Sequence, residues 1–120
     1  MMKTRKILSV LTVALTVAAA SPAMAAFNCD AKIKALLVYN TGIVNVLHTG
    51  RGNYTVVCSL KGTYGDVSAA TCATWVSLME SIKKKDGIAH FYYEGTGSCA
   101  TLPTYGNAPV PTYIGDISTP

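Results

Sequence analysis

The side chains of this sequence that can do chemistry are four cysteines, two histidines and six acidic residues. The acids are scattered, with no pair at the short spacing that would suggest a general acid beside a nucleophile. The stretch Thr96-Gly97-Ser98-Cys99 superficially looks like a nucleophile turn, but it lacks the G-x-S-x-G elbow. We therefore predict no catalytic residue, no cofactor and no enzymatic activity.

The cysteines are better explained as disulfide partners than as metal ligands. Their spacings of 29, 14 and 27 residues include no C-x-x-C pair. The two histidines, His48 and His90, have no neighbouring ligand at the short spacings that zinc sites use. An even number of cysteines in a small exported domain is typical of a disulfide framework. We therefore expect two disulfides and no metal.

Four cysteines allow three pairings, and the count alone does not choose among them. We predict Cys58 with Cys72, because Cys58 ends a predicted strand and Cys72 lies in the first turn of a predicted helix. That bridge would join the helix to the sheet across a short loop. The remaining pair, Cys29 with Cys99, would tie the start of the folded chain to a turn near its end.

The first 25 residues have the pattern of a cleaved export signal. Three basic residues precede an apolar stretch from Ile7 to Ala20, and Ala23-Met24-Ala25 is the small-x-small pattern of a cleavage site. The competing interpretation is a membrane anchor, which needs about 20 apolar residues. This run is shorter and is interrupted by serine and threonine. We predict a secreted or periplasmic protein that begins at Ala26, with no stable membrane insertion after the signal is removed.

The charge balance argues against nucleic acid as a partner. The full sequence has a formal net charge of +4, but three of its ten basic residues lie in the export signal, so the remainder carries only +1. A nucleic-acid-binding domain would keep a basic stripe that neutralises several phosphates. We therefore exclude nucleic acid.

The folded part begins with three β-rich runs. These are Lys32–Tyr39, Ile43–His48 and Tyr54–Leu60, of which the last alternates strictly between two faces. Turn residues at 40–42 and 49–53 separate them. The pattern predicts an antiparallel meander.

The hydrophobic period then changes to that of a helix over Ala69–Lys85. Ser68 is suited to cap its start, and Gly87 is placed to end it. The apolar residues recur at helical spacing: Cys72, Trp75, Val76, Met79 and Ile82. The predicted buried stripe makes Trp75 a core residue.

The end of the chain returns to β structure. We predict a fourth strand at Ile88–Tyr93 and a short fifth strand opening at Cys99–Leu102. From Pro103 onward the prolines favour an extended surface segment, in which Tyr113 and Ile114 can pair at a sheet edge.

Three strands, one helix and two further strands predict a mainly β fold with one helix (α+β). This is the order of a small OB-like five-stranded barrel with the helix between strands three and four. A split α+β sandwich, with the helix across an antiparallel sheet, fits nearly as well. The predicted divisions are a signal peptide at 1–25, an OB-like disulfide-bonded domain at 26–102 and a proline-rich extension at 103–120.

The stretch from Ile33 to Tyr93 resembles the small OB-fold B subunits of bacterial AB5 toxins of the subtilase-cytotoxin and pertussis-like type. The similar elements are the signal peptide, Val38-Tyr39-Asn40-Thr41-Gly42, Val57-Cys58-Ser59-Leu60, and a helix followed by Gly87 and a β run. Those subunits form rings of five and bind cell-surface glycans, so the resemblance implies a homo-oligomer with a glycan ligand. The segment from Cys99 to Tyr105 and its tail resemble uncharacterised small secreted bacterial proteins instead.

Seven tyrosines are a further signal for ligand binding, because their rings combine apolar contact with a hydroxyl. The alternative is that tyrosine is simply a good strand residue. We expect a non-enzymatic binding module for a glycan or a protein; the alternative is an envelope protein with a structural or inhibitory role. An OB layout would bring together five residues as the binding site. They are Asn40, Thr41, Asn45, Glu94 and Thr96.

Overall fold

The computed structural model describes residues 9–16 and 25–119. Most of the predicted signal peptide, including its basic start and Ala23-Met24 of its cleavage site, lies outside the described residues. Among the residues described, no helix is both long and apolar enough to cross a membrane.

The described chain forms six strands, one α-helix and a short 3-10 helix. In chain order they are β1 (Ala26–Ala31), β2 (Ile33–Val38), β3 (Ile43–His48), β4 (Tyr54–Ser59), α1 (Ala69–Lys84), β5 (Ala89–Glu94), the 3-10 helix (Cys99–Thr101) and β6 (Tyr113–Asp116). The fold is therefore mainly β with one helix.

The strands form two antiparallel three-stranded sheets, with the orders β1-β5-β6 and β2-β3-β4. The chain passes from one sheet to the other at Lys32, the single residue between β1 and β2. The backbone N–H of Lys32 donates to the Thr49 hydroxyl, and the Thr49 N–H donates to the Lys32 carbonyl, both at 3.0 Å. These bonds fix the point where the chain changes sheets.

The expectation of a five-stranded barrel is wrong, because the two sheets do not close into one. Closing the barrel would require β4 to pair with β6, but among the described residues the free edge of β4 carries only a single bridge, between Thr55 and Tyr105. The helix lies between the fourth and fifth strands rather than the third and fourth. The position of the helix in the strand order differs because the structure has an additional strand, β1, before the first predicted strand. All six residues of β1 pair with β5.

The helix begins at Ala69 as predicted and ends at Lys84, one residue before the predicted end. Of the predicted stripe, Cys72, Trp75, Met79 and Ile82 are buried and Val76 is partly buried. Ser68 caps it, since its hydroxyl accepts from the Thr71 N–H at 3.2 Å. The residue that takes the left-handed conformation after the helix is Asp86, with φ of 52°, rather than Gly87. Lys32 forms an ion pair with Asp86 at 2.8 Å, and this hydrogen bond and charge lower the pKa of that carboxyl.

The expected fifth strand at Cys99–Leu102 is instead the 3-10 helix. Its turn is closed by local bonds, in which the Thr101 N–H donates to the Ser98 carbonyl and the hydroxyls of Ser98 and Thr101 lie 2.8 Å apart. Serine and threonine side chains that bond to nearby backbone favour turns over strands. The sixth strand is formed by the tail, where Ile114 pairs with Phe91, as predicted for that edge.

The core lies between the two sheets and α1, and both disulfides border it. Cys58 joins Cys72, and Cys29 joins Cys99, which are the two pairs that we predict from the sequence. The first bridge fixes α1 to β4, and the second fixes the 3-10 helix to β1. Trp75 is 7% exposed and belongs to the core cluster.

Candidate binding site

The outer face of the β2-β3-β4 sheet is unusually apolar for a face that points away from the core. Residues paired directly across an antiparallel sheet share a face. Asn45 is paired with Leu37 on one side and with Val56 on the other. Asn45 and Val56 are only 2% and 3% exposed, so the loops beside this face cover it.

A cavity of about 410 Å³ lies on this face, which we call the tyrosine pocket. Its size falls within the range of small-molecule sites. It is lined by Tyr39, Thr41, Ile43, Asn45, Val56, Tyr64, Tyr105 and Gly106. None of these side chains carries a formal charge at neutral pH, so the pocket is suited to an uncharged ligand.

Three short backbone links position the tyrosines of this pocket. The Tyr39 N–H donates to the Ile43 carbonyl at 2.9 Å across the turn between β2 and β3. Tyr64 and Val67 exchange two backbone hydrogen bonds of 3.0 Å. Tyr105 donates its N–H to the Tyr54 carbonyl at 3.1 Å, and its φ of 59° turns the chain there.

The buried polar side chain of the pocket is that of Asn45. Its Oδ1 atom is buried and has no hydrogen-bond partner among the described residues. A buried acceptor without a partner costs about 1–3 kcal/mol of stability. This oxygen is closed to solvent as the structure stands, so a ligand hydroxyl or amide N–H would recover that energy only by displacing the side chains that cover it.

The structure brings together only part of the predicted site. Thr41 and Asn45 line the tyrosine pocket, and Asn40 adjoins it, with its carbonyl accepting from the Lys61 ammonium at 2.5 Å. Glu94 ends β5 in the other sheet and lines a different cavity. Thr96 is exposed in the turn that follows β5. The turn between β2 and β3 and the turn after β5 therefore do not meet at one surface.

Tyr39, Tyr64 and Tyr105 are not among the site residues predicted from the sequence. All three lie outside the strands, where the spacing of side chains does not indicate which face of a sheet they join. The sequence feature that pointed toward these residues was the number of tyrosines. That number does not distinguish a tyrosine of the pocket from a core tyrosine such as Tyr93.

Both histidines make specific contacts within the fold. His48 is fully buried, and its Nδ1 accepts from the N–H groups of Gly50 and Arg51 at 3.1 and 3.3 Å. Burial, and secondarily the charge of Arg51, lowers the pKa of His48 to about 4. His90 lies on the outer face of the other sheet, with Nδ1 bonded to Asp30 and Nε2 3.2 Å from the Tyr113 hydroxyl.

The described residues contain no group of three histidine, cysteine or acidic side chains arranged to hold a metal ion. No family model, no curated protein and no solved structure matched this chain in the comparisons that we made.

Proposed function

We propose that this protein is an exported, non-enzymatic binding module that holds a glycan in the tyrosine pocket. The observation that carries the proposal is the combination of three tyrosine rings with one buried, unpartnered amide oxygen in an uncharged cavity. Tyrosine rings offer apolar contact to the C–H faces of a sugar and a hydroxyl to its polar edge. Asn45 supplies the acceptor that a sugar hydroxyl needs.

A glycan explains this lining better than a protein ligand does. Protein interfaces that bind stably bury roughly 800 Å² on each partner, with an apolar centre and a polar rim. The tyrosine pocket is instead a small, shallow depression with one buried polar group. The lining also contains no carboxylate, imidazole or thiol that would act as a general base, which favours binding over catalysis.

Two further expectations belong to this proposal. The order of elements supports an OB-like arrangement when β1 and β2 are counted as one strand that contributes to both sheets. That strand is followed by two strands, a helix and two further strands. Export is supported by the two disulfides, which are typical of oxidising compartments. The toxin-like homo-oligomer stays a prediction that light scattering on the oxidised protein tests.

The test of the proposal is a glycan array probed with the oxidised protein, followed by titration of the best glycan. We expect Asn45→Leu to weaken that glycan about tenfold or more, because it removes the acceptor. Its stability should stay equal or rise, because the unpartnered oxygen is also removed. Thr96→Ala is the matched control outside the pocket and should leave affinity unchanged. The proposal would be contradicted if the protein bound no glycan on the array, or if the Asn45→Leu variant bound the best glycan as tightly as the unmodified protein does.

A further inference from the structure

The outer face of the β1-β5-β6 sheet carries a cluster of polar and aromatic side chains. Strand pairing arranges the residues of this face in two neighbouring rows. They are Asn28, Tyr92 and Tyr113 in one row and Asp30, His90 and Gly115 in the other. Phe91, which lies between the rows on β5, is fully buried in the core, so the two rows face away from the core.

The rings of Tyr92 and Tyr113 face each other directly across β5 and β6. Their centroids are 5.0 Å apart, and their planes differ by only 5°. Gly115, opposite His90, has no side chain, so the Tyr113 ring also reaches His90 diagonally, with a centroid distance of 5.5 Å. Tyr113 is 47% exposed and Tyr92 is half-buried. Both rings are therefore stacked and open to reagents in solution.

His90 is arranged to accept a proton from Tyr113. The Tyr113 hydroxyl lies 3.2 Å from His90 Nε2, which is within reach for proton transfer. His90 Nδ1 is bonded to Asp30, whose carboxylate also accepts from the Asn28 amide at 3.1 Å. A carboxylate at Nδ1 holds the ring proton on that atom, so Nε2 is left to accept the phenol proton.

A second stacked tyrosine pair lacks this proton acceptor. The rings of Tyr54 and Tyr105 lie 6.1 Å apart with planes at 26°. Their exposure matches that of the first pair, since Tyr105 is 48% exposed and Tyr54 is half-buried. The chain has only two histidines, and the other, His48, bonds through Nδ1 to backbone N–H groups, while its buried Nε2 has no partner among the described residues. The second pair is therefore an internal reference without an imidazole.

We propose that Tyr92 and Tyr113 are a site of oxidative cross-linking, where a peroxidase-type one-electron oxidant and hydrogen peroxide form a dityrosine bond. Each phenol loses one electron and its hydroxyl proton, and the proton of Tyr113 passes to His90 Nε2. The two radicals join through ring carbons ortho to the hydroxyls, and the hydrogens on those carbons move to the oxygens to restore both phenols. Hydrogen peroxide takes up the two electrons and two protons and becomes two water molecules.

This bond would tie the C-terminal strand β6 covalently to β5. The two disulfides act elsewhere, on α1 and on the 3-10 helix. The cross-link requires no ligand in the tyrosine pocket, so it can be tested apart from the proposed glycan binding.

In the experiment, the disulfide-bonded protein is treated at high dilution with a haem peroxidase and a limiting amount of hydrogen peroxide. The monomer is isolated by gel filtration, and its cross-links are identified by dityrosine fluorescence and peptide mapping. We expect a monomer that has lost two hydrogen atoms. The Tyr92–Tyr113 product should exceed the Tyr54–Tyr105 product about tenfold, because a positioned base accelerates proton transfer. Both products form in the same molecule, so their ratio does not depend on the dose of oxidant.

Variants of the two pairs test the role of the imidazole. His90→Phe keeps a ring beside Tyr113 but removes the proton acceptor, so the ratio should fall about tenfold while the Tyr54–Tyr105 product is unchanged. Tyr113→Phe should eliminate the Tyr92–Tyr113 product, whereas the matched Tyr105→Phe should leave it unchanged. The proposal is overturned if both pairs couple equally in the unmodified protein, if the cross-links join only different molecules, or if His90→Phe preserves the ratio.

Asp30 is a positioning residue in this scheme, because it acts through His90. Asp30→Ala should lower the product ratio as His90→Phe does. Asp30→Asn can still accept from Nδ1–H through its amide oxygen and should restore the ratio.

Discussion

The ring of Tyr105 stacks on the ring of Tyr54 with their centroids 6.1 Å apart, while its backbone N–H donates to the Tyr54 carbonyl at 3.1 Å. These two contacts hold Tyr105 at a φ of 59°, a conformation that costs a non-glycine residue about 1–3 kcal/mol. Strained residues of this kind persist where the surrounding structure holds them, and they are frequent at ligand sites. The stack therefore connects the edge of β4 to the tyrosine pocket.

Replacing Tyr105 by asparagine tests the contribution of its ring to binding while keeping its backbone conformation. Asparagine tolerates positive φ, so the turn should survive and the free energy of unfolding should change by less than about 1 kcal/mol. Loss of the ring should weaken the glycan found on the array by about tenfold, measured by titration calorimetry. Tyr113→Asn is the control, because Tyr113 is equally exposed but lies in the other sheet. Equal losses in both variants would show that the effect is not specific to the pocket.

Tyr93 carries a buried hydroxyl that the fold does not use. Its side chain is fully buried and stacks on Phe27 at 4.8 Å, but its Oη atom has no hydrogen-bond partner among the described residues. Burial raises the pKa of Tyr93, so the phenol stays neutral. Tyr93→Phe keeps the stack and removes the unpartnered oxygen, and we expect it to stabilise the protein by about 1 kcal/mol in urea unfolding. A loss of stability of that size would show that the hydroxyl is bonded in solution.

The strands that the sequence predicts well are those in which one physical signal dominates. Ile43–His48 and Tyr54–Ser59 are rich in β-branched residues and are separated by turn residues, so their limits follow from pattern alone. In α1, the helical spacing of buried residues and the Ser68 cap agree with each other. Agreement between local propensity and burial is what makes such elements predictable.

The elements that were missed depend on distant partners. The segment Ala26–Ala31 contains asparagine and aspartate, which are poor strand formers, and it is a strand because β5 pairs with it throughout. Tyr105 reaches the tyrosine pocket through one bridge to Thr55, fifty residues earlier in the chain. The prediction that Glu94 lies near Asn45 depends on an OB layout, and the arrangement of the two sheets places these residues at different cavities.

Removing the Cys29–Cys99 disulfide should destabilise the protein strongly. This bridge spans 70 residues, and in the chain-entropy model a loop of that length stabilises by about 4 kcal/mol. We expect Cys29→Ser with Cys99→Ser to lower the urea midpoint by an amount that corresponds to this energy. Reduction of the unmodified protein should lower it further, since the Cys58–Cys72 bridge is then lost as well. An unchanged midpoint in the double variant would contradict the entropy argument.

The buried imidazole of His48 should make stability depend on pH in a defined window. Its pKa is about 4 in the folded protein and 6.5 when exposed, so the unfolded state binds the proton more readily between these values. The free energy of unfolding should therefore fall as the pH decreases from 6.5 to 4, by about 3 kcal/mol in total, and be insensitive to this residue above 6.5. His48→Asn offers an acceptor to the Gly50 and Arg51 N–H groups but does not titrate. Urea unfolding of this variant at pH 4.5 and 7 should show a smaller difference than the unmodified protein does, and an equal difference would assign the pH dependence to other groups.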